Sequence, residues 1–452
     1  MIQRIPPFLR WAYPGLGVKR WLLVAIAGIL LLVNGVDRYL VAIGYNVHAN
    51  EVIDSFIDDY FPPSYLSWIF MVVGIALIFI GIRQWLLAIL RASVVGGGSA
   101  GILDTLYDMR LRNGYKIVAI GGGTGLSTLL RGLKRKTTNL TAVVTVSDDG
   151  GSSGRLQKEL GVLPPGDVRN CLVALADDEA MVTDLFRYRF AEGEGLTGHS
   201  FGNLFLAAMT GITGNFDRAI KESSRVLNIK GRVLPSTLGI VRLCARLADG
   251  SVVEGESNIS KSGQPIRQVF FDPPYAAPLH EALAAIRDAD AIVLGPGSLY
   301  TSVLPNFLVD RIAKEVERSQ AVKIYVCNVM TQPGETDDMT AADHVSALLE
   351  NAGTRVCDYA IVNDEPPSKL LEAYAVEGQI PVKPDVERIR AMGMTPIRAQ
   401  MISETATVRH DPEKLAQVVL GVIDRTIAQR AAYVRPAHVY EQRSGSPASD
   451  HV

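Results

Sequence analysis

Five short runs rich in β-branched residues constrain this chain more than anything else in it: YKIVAIGGG, LTAVVTVSDDGG, DAIVLGPGS, VKIYVCNVM and CDYAIVND. Each passes into a glycine-rich or polar turn and then into a helical stretch such as LSTLLRGLKRK. A strand apolar on both faces must be covered on both, and alternation with helices makes that a parallel sheet between two helical layers. Residues from about 116 to 430 therefore read as an α/β fold, a doubly wound, Rossmann-like parallel sheet. Between about 232 and 272 the pattern changes, and the turn ADGS with the run GQPIRQVFF suggests a small antiparallel insertion. No internal repeat is visible. Residues 436–452, ending EQRSGSPASDHV, carry few apolar side chains and are expected to be disordered.

At 452 residues the chain exceeds one ordinary domain. Hydrophobic residues reach 48%, and the excess sits in the first ninety positions. WLLVAIAGILLLV starts at Trp21 and YLSWIFMVVGIALIFIGI at Tyr65. A helix crossing a bilayer needs about twenty mainly apolar residues. The second run meets that length, and the first meets it when extended backward or through Asn34. No A-x-A cleavage site follows the first run and a second run comes soon after, so two anchored helices, about 17–36 and 65–82, fit better than a removed signal peptide.

Flanking charge sets their orientation. Arg4, Arg10, Lys19 and Arg20 precede the first run, and Arg83, Arg91, Arg110 and Arg112 follow the second. Between them Asp37, Glu51, Asp54, Asp58 and Asp59 face only Arg38. A two-pass plasma-membrane protein with both termini and the main domain in the cytoplasm is expected. Trp21, Trp68 and Trp85 suit interfacial anchors; the alternative is a buried hairpin of a soluble domain. Residues 1–92 then form the hairpin, 93–115 a Gly/Ser-rich linker containing GGGSAG, and 116–435 the main domain.

With 45 Lys+Arg against 47 Asp+Glu, a net charge of -2, the chain lacks a basic footprint for nucleic acid. Cys171, Cys244, Cys327 and Cys357 form no CxxC pair or zinc spacing, and their apolar neighbours indicate buried free thiols in a reducing compartment.

Chemistry concentrates where the runs end. In IVAIGGGTGLSTLLRGL, Gly121, Gly122, Gly123, Thr124 and Gly125 lead into a helix expected to begin near Ser127. Such a turn either cradles an anion on backbone amides or serves turn geometry alone. It is not a Walker A loop, because no Gly-Lys-Ser/Thr follows. In VTVSDDGGSSGRLQKELGVLPPGDVRN, Asp148 and Asp149 terminate a strand. Adjacent side chains there point to opposite sides, so one carboxylate meets a ligand while the other structures the loop. Asp167, beyond Pro164-Pro165-Gly166, brings back another carboxylate of the kind that suits Mg²⁺, and Arg155 and Arg169 are natural phosphate partners. The alternative is a solvated turn with a helix cap.

His199, Ser200 and Asn203 sit at a loop-to-helix junction without a G-x-S-x-G elbow, so capping and ligand contacts are favoured over a serine nucleophile. A second glycine turn, Gly295, Pro296, Gly297 and Ser298, and the strand end carrying Asn328, Thr331 and Gln332 complete a set suited to a nucleotide with two phosphates, or to a nucleotide plus a phosphorylated substrate.

Together, IGGGTGLS, SDDGGSSGRL with PPGDVRN, GHSFGNL, GPGSLYTSVLPN and CNVMTQPGETD resemble the YvcK/CofD family over about 310 residues from Lys116 onward. Within it the chain is similar to the YvcK branch, the gluconeogenesis factors. That resemblance implies a cytoplasmic bacterial protein that binds UDP-sugars such as UDP-N-acetylglucosamine and influences cell-wall synthesis, cell shape and carbon metabolism, with no established catalysis. The CofD branch implies instead a 2-phospho-L-lactate transferase of deazaflavin coenzyme synthesis, using a nucleotide-activated phospholactate and Mg²⁺.

By the same resemblance, Asp148, Asp149 and Asp167 would hold metal, and Gly121 to Gly125, Asn203 and Gly295 to Ser298 would line the nucleotide. Tyr374 and Arg409 match a tyrosine and an arginine that the YvcK branch associates with the UDP-sugar, and their chemistry suits ring stacking and pairing with pyrophosphate. The hairpin departs from most members and would tether a UDP-sugar reader at the membrane. A regulator is expected over a transferase because no acceptor-activating base stands out; a membrane scaffold without ligand is a third reading. A homodimer and contacts with cell-wall synthesis proteins are further expectations, with Mg²⁺ the one cofactor considered.

Overall fold

The structure, a computed structural model, describes residues 18–44, 63–93, 111–177, 180–367, 370–404 and 408–434. Most of the expected linker, the tail 436–452, and Arg4, Arg10, Glu51, Asp54, Asp58, Asp59 and Arg110 lie outside the described residues. The chain divides into two units, Met1–Met109 and Arg110–Val452.

In the first unit two helices, Val18–Ala42 and Pro63–Ser93, lie against each other. The first runs unbroken through Asn34, so Asp37 and Arg38, expected in the loop between the runs, lie inside it. Gly44, with φ +89°, stands just past its end. The windows Trp21–Leu40 and Ser67–Leu87 are long and apolar enough to cross a bilayer. Small residues bring the two backbones together. A Cβ on Gly28 would stand 2.8 Å from the Gly74 carbonyl oxygen, and one on Gly81 would stand 2.7 Å from the Ala25 nitrogen. Ser67, Gly74 and Gly81 recur at the heptad spacing that keeps one helical face turned to its partner. Leu23, Leu30, Val33, Val72 and Phe79 remain exposed on the outer faces. Arg38 lies over the ring of Phe70, 5.8 Å from its centroid.

The second unit is built on seven strands: β1 Ile117–Gly121, β2 Leu140–Val144, β3 Arg232–Pro235, β7 Ala291–Leu294, β8 Val322–Val326, β9 Tyr359–Asn363 and β10 Thr395–Ala399. Their order is β10-β9-β8-β7-β1-β2-β3, with every neighbouring pair parallel. This is the doubly wound α/β sheet read from the sequence. The antiparallel excursion is β4 Arg242–Leu247, β5 Val252–Glu254 and β6 Ile266–Asp272, ordered β5-β4-β6. It begins later than expected, because Arg232–Pro235 pairs in parallel with β2 and extends the main sheet. A hairpin of β11 Ile402–Glu404 and β12 Val408–His410 follows β10.

Alternation along each strand feeds two cores. Val118, Ile120, Val143, Leu294 and Tyr325 face one, shared with β4, β6 and the helices His280–Arg287 and Ala341–Ala352. Ile117, Ala119, Val144, Val293 and Val326 face the other, with Leu126 to Leu133, Leu172, Leu206 and the last helix, Pro412–Val434. Covering both faces explains why the strand runs carry no polar alternation. All four cysteines are buried and free.

Register sets where the site lies. Ile120 pairs with both Val143 and Leu294, so β1, β2 and β7 end at one rim. The chain proceeds from β1 through β2 to β3, then returns to the other side of β1 as β7, which places a topological switch point between β1 and β7. The helix Gly123–Leu133 packs so closely on the last helix that a Cβ on Gly132 would lie 1.9 Å from the Pro412 carbonyl oxygen. Gly132→Ala should therefore cost about 1–3 kcal/mol of overpacking and lower the thermal midpoint by a few degrees. Gly421→Ala, where an added Cβ meets nothing within 4 Å, should leave the midpoint unchanged or raise it; equal midpoints for the two variants in differential scanning fluorimetry would contradict this packing.

Candidate functional site

β1 ends at Gly121, Gly122 turns the chain, and the helix Gly123–Leu133 begins at once, four residues earlier than expected. Gly123 and Gly125 are thus in the helix's first turn, where amides without intrahelical partners and the helix dipole coincide. A Cβ on Gly125 would lie 2.2 Å from the Pro296 carbonyl oxygen, so this turn and the Gly295–Ser298 turn after β7 touch backbone to backbone. The second turn is held by Asn328 at the tip of β8: its Oδ1 accepts from the Gly297 amide at 2.9 Å and its Nδ2 donates to the Gly297 carbonyl at 2.8 Å. Gln332 Nε2 donates to Ser298 Oγ at 2.8 Å.

Beside these turns opens a cleft of about 520 Å³. Of the expected residues, Gly123, Thr124, Gly125, Asp148, Asp167, Pro296, Gly297, Ser298, Asn328, Thr331, Tyr374 and Arg409 line it. The far wall comes from late in the chain. Tyr374 lies on the helix Leu371–Val376 and Arg409 on β12, and the two are tied because the Val408 amide donates to the Tyr374 hydroxyl at 2.9 Å. Thr331 fastens that wall to the tip of β8, its amide donating to the Ile380 carbonyl at 2.8 Å and its hydroxyl accepting from the Ile380 amide at 3.0 Å.

The remaining expected residues stand behind the wall. Gly121 and Gly122 form the turn beneath the cleft, and Gly295 donates its amide to the Ile120 carbonyl at 2.8 Å. Asp149 points away from Asp148 and accepts from the Ser257 amide at 3.0 Å. His199 is buried, with Nδ1 2.9 Å from Ser152 Oγ. Ser200 caps the helix Phe201–Thr213 and accepts from Arg169, while Asn203 Nδ2 donates to Ser152 Oγ at 3.1 Å. Arg155 donates to the Thr197 carbonyl at 2.8 Å. These groups brace the loop that presents Asp148.

The cleft floor is acidic. Burial pushes Asp167 up from 3.8 to about 7, the charge of Asp148 adds to this, and the Gly123 amide and Arg169 pull partly back. Burial likewise raises Asp148, against hydrogen bonds from the Gly150 amide and Ser153. Glu256 is raised well above its ordinary range, by burial first and then by Asp148 and Asp167. Its Oε2 is buried without a hydrogen-bond partner. Yet among the described residues no three His, Cys, Asp or Glu side chains are assembled as a metal cage.

Sequence reading passed over Thr128, Glu256, Met330, Glu377, Gln379, Val408 and His410, all in the lining. Thr128 was accessible to it, one helical turn beyond Thr124. Glu256 was not, since only the tertiary placement of the antiparallel excursion brings it in. His410 is lowered to about 4, by burial, with its Nε2 unpartnered.

The family model for 2-phospho-L-lactate transferase CofD matches residues 117–402. The chain is 52% identical over 310 residues to the gluconeogenesis factor of Bacillus subtilis, covering 68% of this chain and 98% of that one. A relative in Nostoc sp. grouped under the gluconeogenesis-factor name is 47% identical over 425 residues, with 92% of this chain and 93% of that one covered, more than the second unit alone could supply. A crystal structure of a UPF0052-family protein from Bacillus halodurans superposes with a TM-score of 0.66 at 49% identity, covering 68% of this chain and 99% of that one. A sheet of this order, glycine turns meeting at its switch point and matches of this length make the chain a member of the YvcK/CofD family, among its gluconeogenesis factors.

Proposed function

We propose that the cleft binds a nucleoside diphosphate sugar of the UDP-N-acetylglucosamine type, and that the protein acts by binding it, as a regulator of cell-wall synthesis, cell shape and carbon metabolism. The observation that carries this reading is the contact of two glycine turns at one rim, Gly125 against Pro296. Residues of both turns, Gly123, Thr124 and Gly125 of one and Gly297 and Ser298 of the other, line a single cleft, and the start of a helix suits an anion such as a diphosphate. Arg409 supplies a guanidinium for the same phosphates. The Tyr374 ring, fixed through its hydroxyl, offers a face to the uracil or the sugar. Cell-wall synthesis proteins are the partners this role calls for.

Calorimetry on the full chain in detergent should show UDP-N-acetylglucosamine binding without breakdown. Arg409→Ala should weaken it about tenfold or more, the loss of one charge-assisted hydrogen bond at about 1.5–3 kcal/mol. Folded wild-type protein that does not bind the ligand would end this reading.

The two-helix unit is proposed as the anchor at the plasma membrane, with the main domain in the cytoplasm. Its exposed leucines, valines and phenylalanines suit lipid, and its glycine-lined seam is how helices pack without a hydrophobic drive between them. The full chain should stay with membranes through an alkaline carbonate wash, whereas a chain starting at Arg110 should be released. Recovery of both in the soluble fraction would remove the anchor.

A second reading, a transferase of the CofD type, is favoured by the paired Asp148 and Asp167. Their hard oxygen donors, buried and mutually repelling, fit Mg²⁺, which is commonly held by one or two carboxylates together with substrate phosphates. Bound there, the ion would neutralise phosphate charge. Release of a nucleoside monophosphate from donor and acceptor would establish this reading over the first.

Both readings share a pH dependence. Asp167 keeps its proton in the folded state up to about 7, whereas the unfolded chain loses it near 3.8. Between those values the native state binds more protons, so the stability contributed by that proton is full at low pH and is lost as pH rises through about 7. Asp167→Asn should therefore raise the thermal midpoint of ligand-free protein most at pH 8, less at about pH 5, and leave it little changed only near about pH 3, below the unfolded value. A midpoint difference that does not vary with pH would show that Asp167 is not the titrating group.

A further inference from the structure

Outside the cleft the least compensated charge in the second unit is a group of arginines around the loop Thr197–Ser200. Three of them converge on that loop: Arg155 on the Thr197 carbonyl, Arg189 on the Gly198 carbonyl and Arg169 on Ser200 Oγ. Arg187 ends the helix Ala180–Arg187 two residues before Arg189, and both are exposed. Arg131, on the helix Gly123–Leu133, donates to Thr128 Oγ1 at 3.3 Å, and Thr128 lines the cleft.

Elsewhere in the second unit arginines meet carboxylates, as in Arg242 with Glu254 at 2.7 Å, Arg135 with Glu413 at 2.8 Å and Arg388 with Asp343 at 2.9 Å. Among the described residues none of Arg131, Arg155, Arg169, Arg187 and Arg189 forms an ion pair within 4 Å.

We propose that Arg131, Arg169, Arg187 and Arg189 form an anion subsite beside the cleft, distinct from the cleft ligand's own, that takes a phosphate-bearing group. Like charges gathered without counter-ions cost free energy in the unliganded protein, and an anion placed among them removes that cost. The guanidiniums feel one another. Arg131 is held below its ordinary range by burial and then by Arg187 and Arg409. Arg169 is held down by burial and then by Arg189, with Asp167 and Asp148 pulling the other way. Arg169 is held by Ser200 Oγ and Asn170 Oδ1 with its Nε buried and unpartnered, while exposed Arg189, which spends one nitrogen on the Gly198 carbonyl, keeps N–H groups to spare. Several guanidinium forks at one place match the geometry of phosphate, whose three oxygens accept bidentate pairs from different directions. The group could belong to a soluble phosphorylated molecule or to an anionic lipid head group.

The test is calorimetry at low salt on the full chain in dodecyl maltoside. The probes are inorganic pyrophosphate and, at monomeric concentration, dihexanoyl phosphatidic acid. The key variant is Arg187→Gln/Arg189→Gln, exposed positions whose loss should leave the far-ultraviolet circular dichroism unchanged. The charge-matched control is Arg287→Gln/Arg318→Gln, on helices that cover the opposite face of the sheet. In the Arg409→Ala background, which removes the cleft's own guanidinium, pyrophosphate should bind the otherwise unchanged chain and the control equally and the key variant at least tenfold more weakly. Binding to Arg409→Ala should persist, because that arginine belongs to the cleft.

If the key variant proves unstable, Arg131→Gln should show the same loss, and Arg187→Lys/Arg189→Lys should restore part of the affinity. Phosphatidic acid binding as tightly as pyrophosphate would assign the subsite to a lipid; pyrophosphate alone would assign it to a soluble ligand. Unchanged pyrophosphate affinity in the folded Arg187→Gln/Arg189→Gln variant, or no binding by the wild type, would overturn the subsite. So would a loss confined to Arg409→Ala, which would place the probe in the cleft.

Discussion

The contact on which the site depends is between backbones: the first turn of one helix meets the turn after β7, with Gly125 against Pro296. Parallel register makes this meeting possible, because β1, β2 and β7 end at the same height and their loops must share one rim. Glycine keeps it open. A side chain at Gly125 would drive the two turns apart, and one at Gly122 would stand 2.3 Å from an Asp167 carboxylate oxygen. The same short glycine run therefore sets the spacing of the amide cradle and the position of the acid beneath it. On the proposed reading, phosphate and cation binding would be coupled through backbone geometry, without a side-chain relay.

Much of this could be read in the chain before folding, because it is written in local pattern. Strand runs apolar at every position have only one environment in which they are stable, so the covered parallel sheet followed. Asp148 reaches the cleft and Asp149 turns to the Ser257 amide, so the two part as expected, but β2 ends at Val144 and they do so in a loop beyond it, not at the strand end where the sequence placed them. What could not be read depends on contacts between distant segments. Arg232–Pro235 is a strand of the main sheet only because β2 offers it an edge. Glu256 reaches the acidic floor only through the packing of an excursion whose own sequence gives no sign of it. Arg155, Arg169, His199, Ser200 and Asn203 have the composition of a ligand site, yet their polar atoms are largely spent on Ser152, Thr197 and one another.

The first unit follows a different logic. In water, helices pair by burying large apolar side chains, and here those side chains face outward while glycine, alanine and serine fill the seam. In hydrocarbon that arrangement is favourable, since lipid solvates leucine as well as a neighbouring helix does and close backbone approach supplies the attraction. Two of the similar proteins are matched along nearly their whole length by about two thirds of this chain.

Charge is sorted across the second unit in a way that net charge conceals. The chain as a whole carries -2, but carboxylates line the cleft floor and unpaired arginines gather beside it. Arg169 stands between the two, drawn by Asp167 and Asp148 and repelled by Arg189 and Arg187. A ligand bearing both a cation-bridged diphosphate and a second anionic group would meet each charge with its opposite in only one orientation. Turned end for end, it would set phosphate against carboxylate in a poorly solvated site, where like charges repel far more strongly than in water. Under both proposals the two walls would thus select orientation as well as charge, with Arg169, bonded to the loop and buried at its Nε, between them.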